Sequence, residues 1–234
     1  MSAPDPALVD DLVVANHILY AEGVVDGFGH ISVRHGERAD RFLLARSMAP
    51  ALVAAGDIME FDLDGNVQGG DTRAPYLERF IHGEVYRVRP DVTAIVHSHA
   101  PPVIPFAASS VGLRPIYHMS SFLVRGAPVF DIRSRFGATD MLVRNNDQGR
   151  ALAESLGKSD IALMRGHGFV AAAPSVPHVV YRALYTMLNA TLQQQAIALG
   201  GSVTYLEPDE AEKSDLTNQA AIGRPWELWK RKVE

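Results

Sequence analysis

Two short apolar runs, each leading into histidine, constrain this 234-residue chain more than any other feature. Ala94-Ile95-Val96 runs into His97-Ser98-His99, and Ile161-Ala162-Leu163-Met164 leads, past Arg165, to Gly166-His167-Gly168. Such runs read as buried strands. Successive side chains of an extended chain alternate between faces, so His97 and His99 point the same way and can share one ion. Gly166 and Gly168 let the backbone turn sharply and approach a ligand closely. A lone His-X-His is common among surface and packed histidines. These three are set apart because all sit where strands stop, the place where α/β sheets bind ligands. With Glu78 they form a candidate mononuclear site of three imidazoles and a carboxylate, suited to one Mn2+ or Zn2+ ion per subunit. The chain has no cysteine, which excludes thiolate ligands and disulfides and fits a cytoplasmic protein.

The periodicity around these runs predicts the other elements. Pro6 to Glu22 reads as an amphipathic helix with Leu8, Leu12, Ala15 and Leu19 on one stripe, ended by Gly23. His30 to Arg34 and Phe42 to Ala45 alternate like neighbouring strands, and Ile58 to Val67 reads as a hairpin turning at Asp64-Gly65. Pro75 suits the first turn of a helix running to about Arg89, which would place Glu78 and His82 on one face. Asn146 to Leu156 and Pro177 to Leu199 read as helices, and Phe169 to Ala172 as a strand. Strands that alternate irregularly with helices and include hairpins predict an α/β fold: a three-layer α/β/α arrangement around a mixed, largely antiparallel sheet. Residues 1–205 are expected to form the catalytic domain. Residues 206–234, charged and carrying Trp226 and Trp229, are expected to be a helical tail packed on that domain or on a neighbouring subunit.

Hydrophobic residues at 47% and charged residues at 21% argue against disorder. A net charge of −5 with no basic stripe argues against nucleic acid as a partner. The N-terminal Met1-Ser2-Ala3-Pro4-Asp5 lacks the layout of a signal peptide, and no apolar run approaches the length of a membrane span.

Taken together, Glu78, His82 four residues on, His97-Ser98-His99 and Gly166-His167-Gly168 resemble the class II aldolase/adducin family. Arg89-Pro90-Asp91 before the strand and Gly168-Phe169-Val170 after His167 match it too, and the resemblance runs from about residue 7 to about residue 200. Sugar-phosphate enzymes of that family hold phosphate with Thr-X-Gly-Asn, Thr-Gly and Ser-Ser motifs. This chain has Gly27-Phe28-Gly29-His30, Arg46-Ser47-Met48 and Tyr76-Leu77 instead. Asp26 to Arg34 and Tyr76 to His82 are similar to the decarboxylase branch, whose members remove a carboxylate beside an aromatic or dienol hydroxyl.

The resemblance implies a metal-dependent carboxy-lyase, usually tetrameric, acting on a small anionic aromatic dicarboxylate. The expected substrate is 3-hydroxy-2-methylpyridine-4,5-dicarboxylate of vitamin B6 degradation. A sugar-phosphate aldolase or epimerase and a non-catalytic adducin-like interaction protein are the alternatives. His97, His99 and His167 would hold the metal. Glu78 would complete the ligand set or move the hydroxyl proton. His118 lies where the aldolases place a tyrosine acid from the adjacent subunit, so it is the expected proton donor. His30, Arg46, Ser47 and Tyr76 occupy the former phosphate pocket and are expected to contact substrate.

Overall fold

The computed structural model describes residues 4–234, so Met1–Ala3, where the leader reading begins, lie outside the described residues. One seven-stranded sheet carries the fold, in the order β3-β2-β1-β4-β7-β6-β5. Its strands are β1 (His30–Arg34), β2 (Arg41–Ala45), β3 (Ile58–Asp62), β4 (Ala94–Ser98), β5 (Val129–Phe130), β6 (Ile161–Met164) and β7 (Gly168–Ala173). Every neighbouring pair is antiparallel except β5 with β6. The mixed, largely antiparallel sheet is therefore as expected.

Strand alternation divides the core in two. Ile31, Val33, Ala94, Val96, Leu163 and Ala171 face one apolar cluster, which takes in α1 (Pro6–Ala21) and α6 (Val176–Ala198). Phe42, Leu44, Ile95, Met164, Val170 and Ala172 face the other, against α2 (Arg79–Val88) and α5 (Asn146–Leu156). The short helices α3 (Ile104–Ala108) and α4 (Ile132–Phe136) were not foreseen, because five residues are too few for a helical period to emerge. The tail forms α7 (Pro208–Ala220) and α8 (Gly223–Val233). Trp226 and Trp229, each 5% exposed, join the α1/α6 cluster, where burying an aromatic side chain contributes about 2–3 kcal/mol. Arg125 holds α7 by bonding both Asp160 (2.6 Å) and Asp215 (2.7 Å).

Two local readings need correction. The Ile58–Val67 hairpin closes only in part: Phe61 bridges Val67, the Asp62 N–H donates to the Asn66 carbonyl and the Gln68 N–H to the Glu60 carbonyl, but no return strand forms. The helix expected from Pro75 starts at Arg79 instead. An Arg46–Pro75 bridge and the Ser47 N–H to Ala74 carbonyl bond keep that segment extended, so Glu78 is the N-cap residue and not part of the helix body.

Candidate metal centre

His30 and His97 are paired neighbours in the β1–β4 ladder. His97 shares the face of Ile95, which looks toward α2 and α5. His99 follows just beyond β4, and His167 sits in the turn between β6 and β7. Gly166 (φ +63°) shapes that turn, whose closure is marked by the His167 N–H to Met164 carbonyl bond. Gly168 lies so close to β4 that a Cβ there would stand 2.0 Å from the Ser98 carbonyl oxygen.

These elements bring one ligand atom each from Glu78, His97, His99 and His167 within 4.8 Å of one another. The Nε2 of His99 lies 3.0 Å from Nε2 of His97 and 3.0 Å from Nε2 of His167. Glu78 Oε2 is 3.5 Å from both His97 and His167. The outer nitrogens decide what this cluster can hold. His97 Nδ1 faces the Phe169 carbonyl at 3.1 Å, and His167 Nδ1 faces the Met141 carbonyl at 3.0 Å. A carbonyl can only accept, so both rings carry their proton on Nδ1 and turn Nε2 lone pairs inward. Converging lone pairs beside a carboxylate repel one another unless a cation stands between them. Ligand atoms around a tetrahedral zinc are separated by about 3.3 Å, close to the spacings here. The residues present fit a divalent metal, and Glu78, His97, His99 and His167 are the ones that would hold it.

Burial opposes ionisation of Glu78, and the facing His97 and His167 lower its carboxyl only when their rings are charged; with both rings neutral, a bound cation would take over that role. Its second oxygen accepts the Val143 N–H at 2.9 Å. Such a group serves as ligand or base, not as acid. Burial, then the neighbouring His97 and His167, pushes His99 down to about 4. Burial likewise pushes His82 down to about 3 and lowers His30 well below its ordinary value.

A pH dependence follows. Between pH 4 and 6.5 the His82 ring is neutral when folded but gains a proton on unfolding, so the unfolded state binds more protons and stability rises with pH. Fully buried His82 accounts for on the order of 1 kcal/mol per pH unit across that window. Glu78 adds to the loss only once the pH falls below its ordinary value of 4.5. Urea unfolding of metal-free protein should give midpoints that fall from pH 7 to pH 5, with a shallower fall in His82→Gln; equal midpoints would contradict the argument.

Beside the cluster opens a cavity of about 330 Å³, lined by Gly27, Phe28, Gly29, His30, Ser47, Met48, Ala49, Tyr76, Leu77, Glu78, His99 and Leu142. His30, Ser47 and Tyr76 thus meet the metal cluster at one cavity. The Tyr76 ring stacks obliquely on His30 (4.6 Å between centroids), and its hydroxyl donates to the Met48 carbonyl. Phe28, 71% exposed, forms the rim and stands 6.4 Å from the His99 ring. Arg46 departs from expectation. It does not line the cavity, and its Nε donates to Asp57 Oδ1 at 2.7 Å, a nearby partner that spacing along the chain could not reveal. His118 is also absent from the cavity lining of its own chain. It is exposed, and its carbonyl accepts from Ser214 Oγ and Asn218 Nδ2 of α7. Leu142, Met48 and the buried Ser32 and Tyr86 around His82 were missed; Met48 and Ser32 lie within the motifs quoted, but only the fold sets Met48 at the cavity and Ser32 beside His82.

Known proteins similar to this chain agree with its motifs. Decarboxylase tropJ of Talaromyces stipitatus is 37% identical over 257 aligned residues, spanning 100% of this chain and 97% of the relative. A 3,4-dihydroxyphthalate decarboxylase of Arthrobacter keyseri is 33% identical, over 92% of this chain and 89% of the relative. An aldolase II superfamily protein from Pseudomonas syringae shares the fold, with a TM-score of 0.81 over 100% of this chain and 94% of that one at 20% identity. None of the three is named for a pyridine dicarboxylate. The class II aldolase and adducin N-terminal domain model matches residues 10–216, and the chain belongs to that family.

Proposed function

We propose that this protein is a divalent-metal-dependent carboxy-lyase that removes a carboxylate ortho to a hydroxyl on a small aromatic dicarboxylate. The carrying observation is the placement of the Glu78/His97/His99/His167 cluster beside a cavity walled by Phe28, Tyr76, Leu77 and Leu142. Such walls suit a flat ring, and the volume lies at the lower end of small-molecule sites. The decarboxylase relatives support the reaction class, and the dihydroxyphthalate named for one of them supports a benzene ring as the first substrate to test.

In this reading His30 and Ser47 bind a carboxylate of the substrate, while Tyr76 and Phe28 orient the ring. As the hydroxyl loses its proton, the ring carbon bearing the departing carboxylate takes one up and the ortho oxygen becomes a ketone; the bond from that carbon to the carboxylate then breaks, carbon dioxide leaves, and the electron pair moves onto the ortho oxygen as the ring regains aromaticity. A bound divalent cation would supply Lewis-acid stabilisation of the charge developing there. Glu78, whose carboxylate faces the cluster and lines the cavity, accepts the hydroxyl proton. Arg46 is assigned no substrate contact, since it does not line the cavity and its Nε is bonded to Asp57. Metal-loaded protein should release carbon dioxide from 3,4-dihydroxyphthalate, and none from its O-methylated form or from phthalate. Running 3-hydroxy-2-methylpyridine-4,5-dicarboxylate in parallel tests the pyridine substrate. Rapid turnover without the ortho hydroxyl, or comparable cleavage of a sugar phosphate, would defeat the proposal.

The ring carbon takes up its proton before carbon dioxide leaves, and we assign that proton to His118 of a neighbouring subunit in a homo-oligomer. Mixing and refolding inactive His118→Ala with inactive His99→Ala should then restore up to about a quarter of wild-type activity per site, because random assembly rebuilds sites from two intact halves. An active monomer in sedimentation, or no recovery on mixing, would remove His118 from the reaction.

A further inference from the structure

We propose that His82 and Ser32, closed off by Tyr86, form a buried positioning relay that orients His30 so that its Nε2 presents a hydrogen-bond donor to an anionic oxygen in the cavity. The relay arises because two periodicities mesh. His30 and Ser32 are two apart on β1 and share a face, while His82 and Tyr86 are four apart on α2 and share a face. His30 Nδ1 lies 2.7 Å from His82 Nε2, Ser32 Oγ lies 2.6 Å from His82 Nδ1, and Ser32 Oγ lies 2.8 Å from the Tyr86 hydroxyl. All four residues are buried, from 0% exposed for Ser32 and His82 to 4% for His30.

A neutral imidazole offers one donor and one acceptor, so such a chain has a direction. The Tyr86 hydroxyl can donate to Ser32 Oγ at 2.8 Å or to the Thr93 carbonyl at 3.3 Å. That carbonyl already accepts the Arg34 N–H at 2.7 Å, so the shorter bond to the unshared oxygen takes the proton. Ser32 must then donate to His82 Nδ1, and His82 Nε2–H to His30 Nδ1. The one proton left to His30 sits on Nε2, for which no protein partner is found among the described residues, at the cavity wall. The opposite direction would turn a bare lone pair toward the cavity, which suits a hydroxyl and repels a carboxylate. His82, Ser32 and Tyr86 do not line the cavity, so they act through His30. Burial raises the Tyr86 phenol far above neutrality, so the chain ends there and orients without shuttling protons.

The identity of the ligand as a carboxylate rests on the proposed function; the direction of the relay does not. Long-range 1H–15N spectra of the zinc-loaded protein should show both His30 and His82 protonated at Nε2. Both rings protonated at Nδ1 would overturn the proposal. Phthalate, as an unreactive probe, should bind His82→Met about tenfold more weakly than wild type at unchanged zinc content. His82→Gln, whose amide can still donate to His30, should recover affinity to within about threefold. Equal phthalate affinity in His82→Met and wild type would also overturn it. If His82→Met fails to fold, Ser32→Ala interrupts the same chain at its middle and should shift the His82 Nδ1 resonance and weaken phthalate binding; no change in either rejects the relay. Failure of phthalate to bind wild type would count against the carboxylate substrate, while the two tautomers would still decide the relay.

Discussion

His99→Ala should reduce bound zinc or manganese from about one ion per chain to less than about a tenth, and lower kcat by about a thousandfold or more. Losing even a hydrogen-bond partner behind a ligand costs roughly 10–100-fold in metal affinity or activity, and His99 is itself a proposed ligand. Its Nε2 is the atom shared by the two 3.0 Å contacts of the cluster, so no other side chain stands where it does. Elemental analysis after gel filtration, with kcat measured at saturating metal, gives the reading. His178→Ala is the control, because that ring pairs with Ser175 at the start of α6, outside the cluster, and should leave the metal content unchanged. Equal metal in His99→Ala and wild type would remove His99 from the ligand set.

Gly168→Ala should destabilise the protein by about 3 kcal/mol or more, at or beyond the upper end of ordinary overpacking. The added Cβ would stand 2.0 Å from the Ser98 carbonyl oxygen and 3.1 Å from the His99 Cα. Both are backbone atoms, so relief requires β4 and β7 to part, and strands parted there carry His99 and His167 away from each other. Zinc affinity should therefore fall together with the urea midpoint. Gly201→Ala, where an added Cβ meets nothing within 4 Å, should stay near wild type. Wild-type stability and metal affinity in Gly168→Ala would show that the two strands yield without cost.

The expected ligand set came from features local to the chain. A period of two puts His97 and His99 on one side of an extended segment, and a glycine-flanked His167 implies a turn that brings backbone near a ligand. The mixed sheet was legible for a similar reason, since strands buried on both faces read as continuous apolar runs such as Ala94 to Val96. Arg46 shows where such reading stops. The resemblance placed it in the former phosphate pocket, but Asp57, eleven residues on, is folded back beside it and bonds its Nε. Glu78 was expected inside a helix and instead caps it, because pairing of residues 74–75 with the Arg46–Ser47 segment delays the helix.

By itself, then, the sequence determined which residue types can bind a metal, which strands are buried, and the absence of any thiolate alternative, because these depend on composition and on periods of two or four residues. Only the tertiary structure decided which nitrogen of His97 and of His167 faces the cluster, for that is set by the Phe169 and Met141 carbonyls, 72 and 26 residues distant in the chain. It also decided that His82 stands between His30 and Ser32, across separations of 52 and 50 residues. The reason is physical: a hydrogen bond acts over about 3 Å and is indifferent to how much chain lies between its partners.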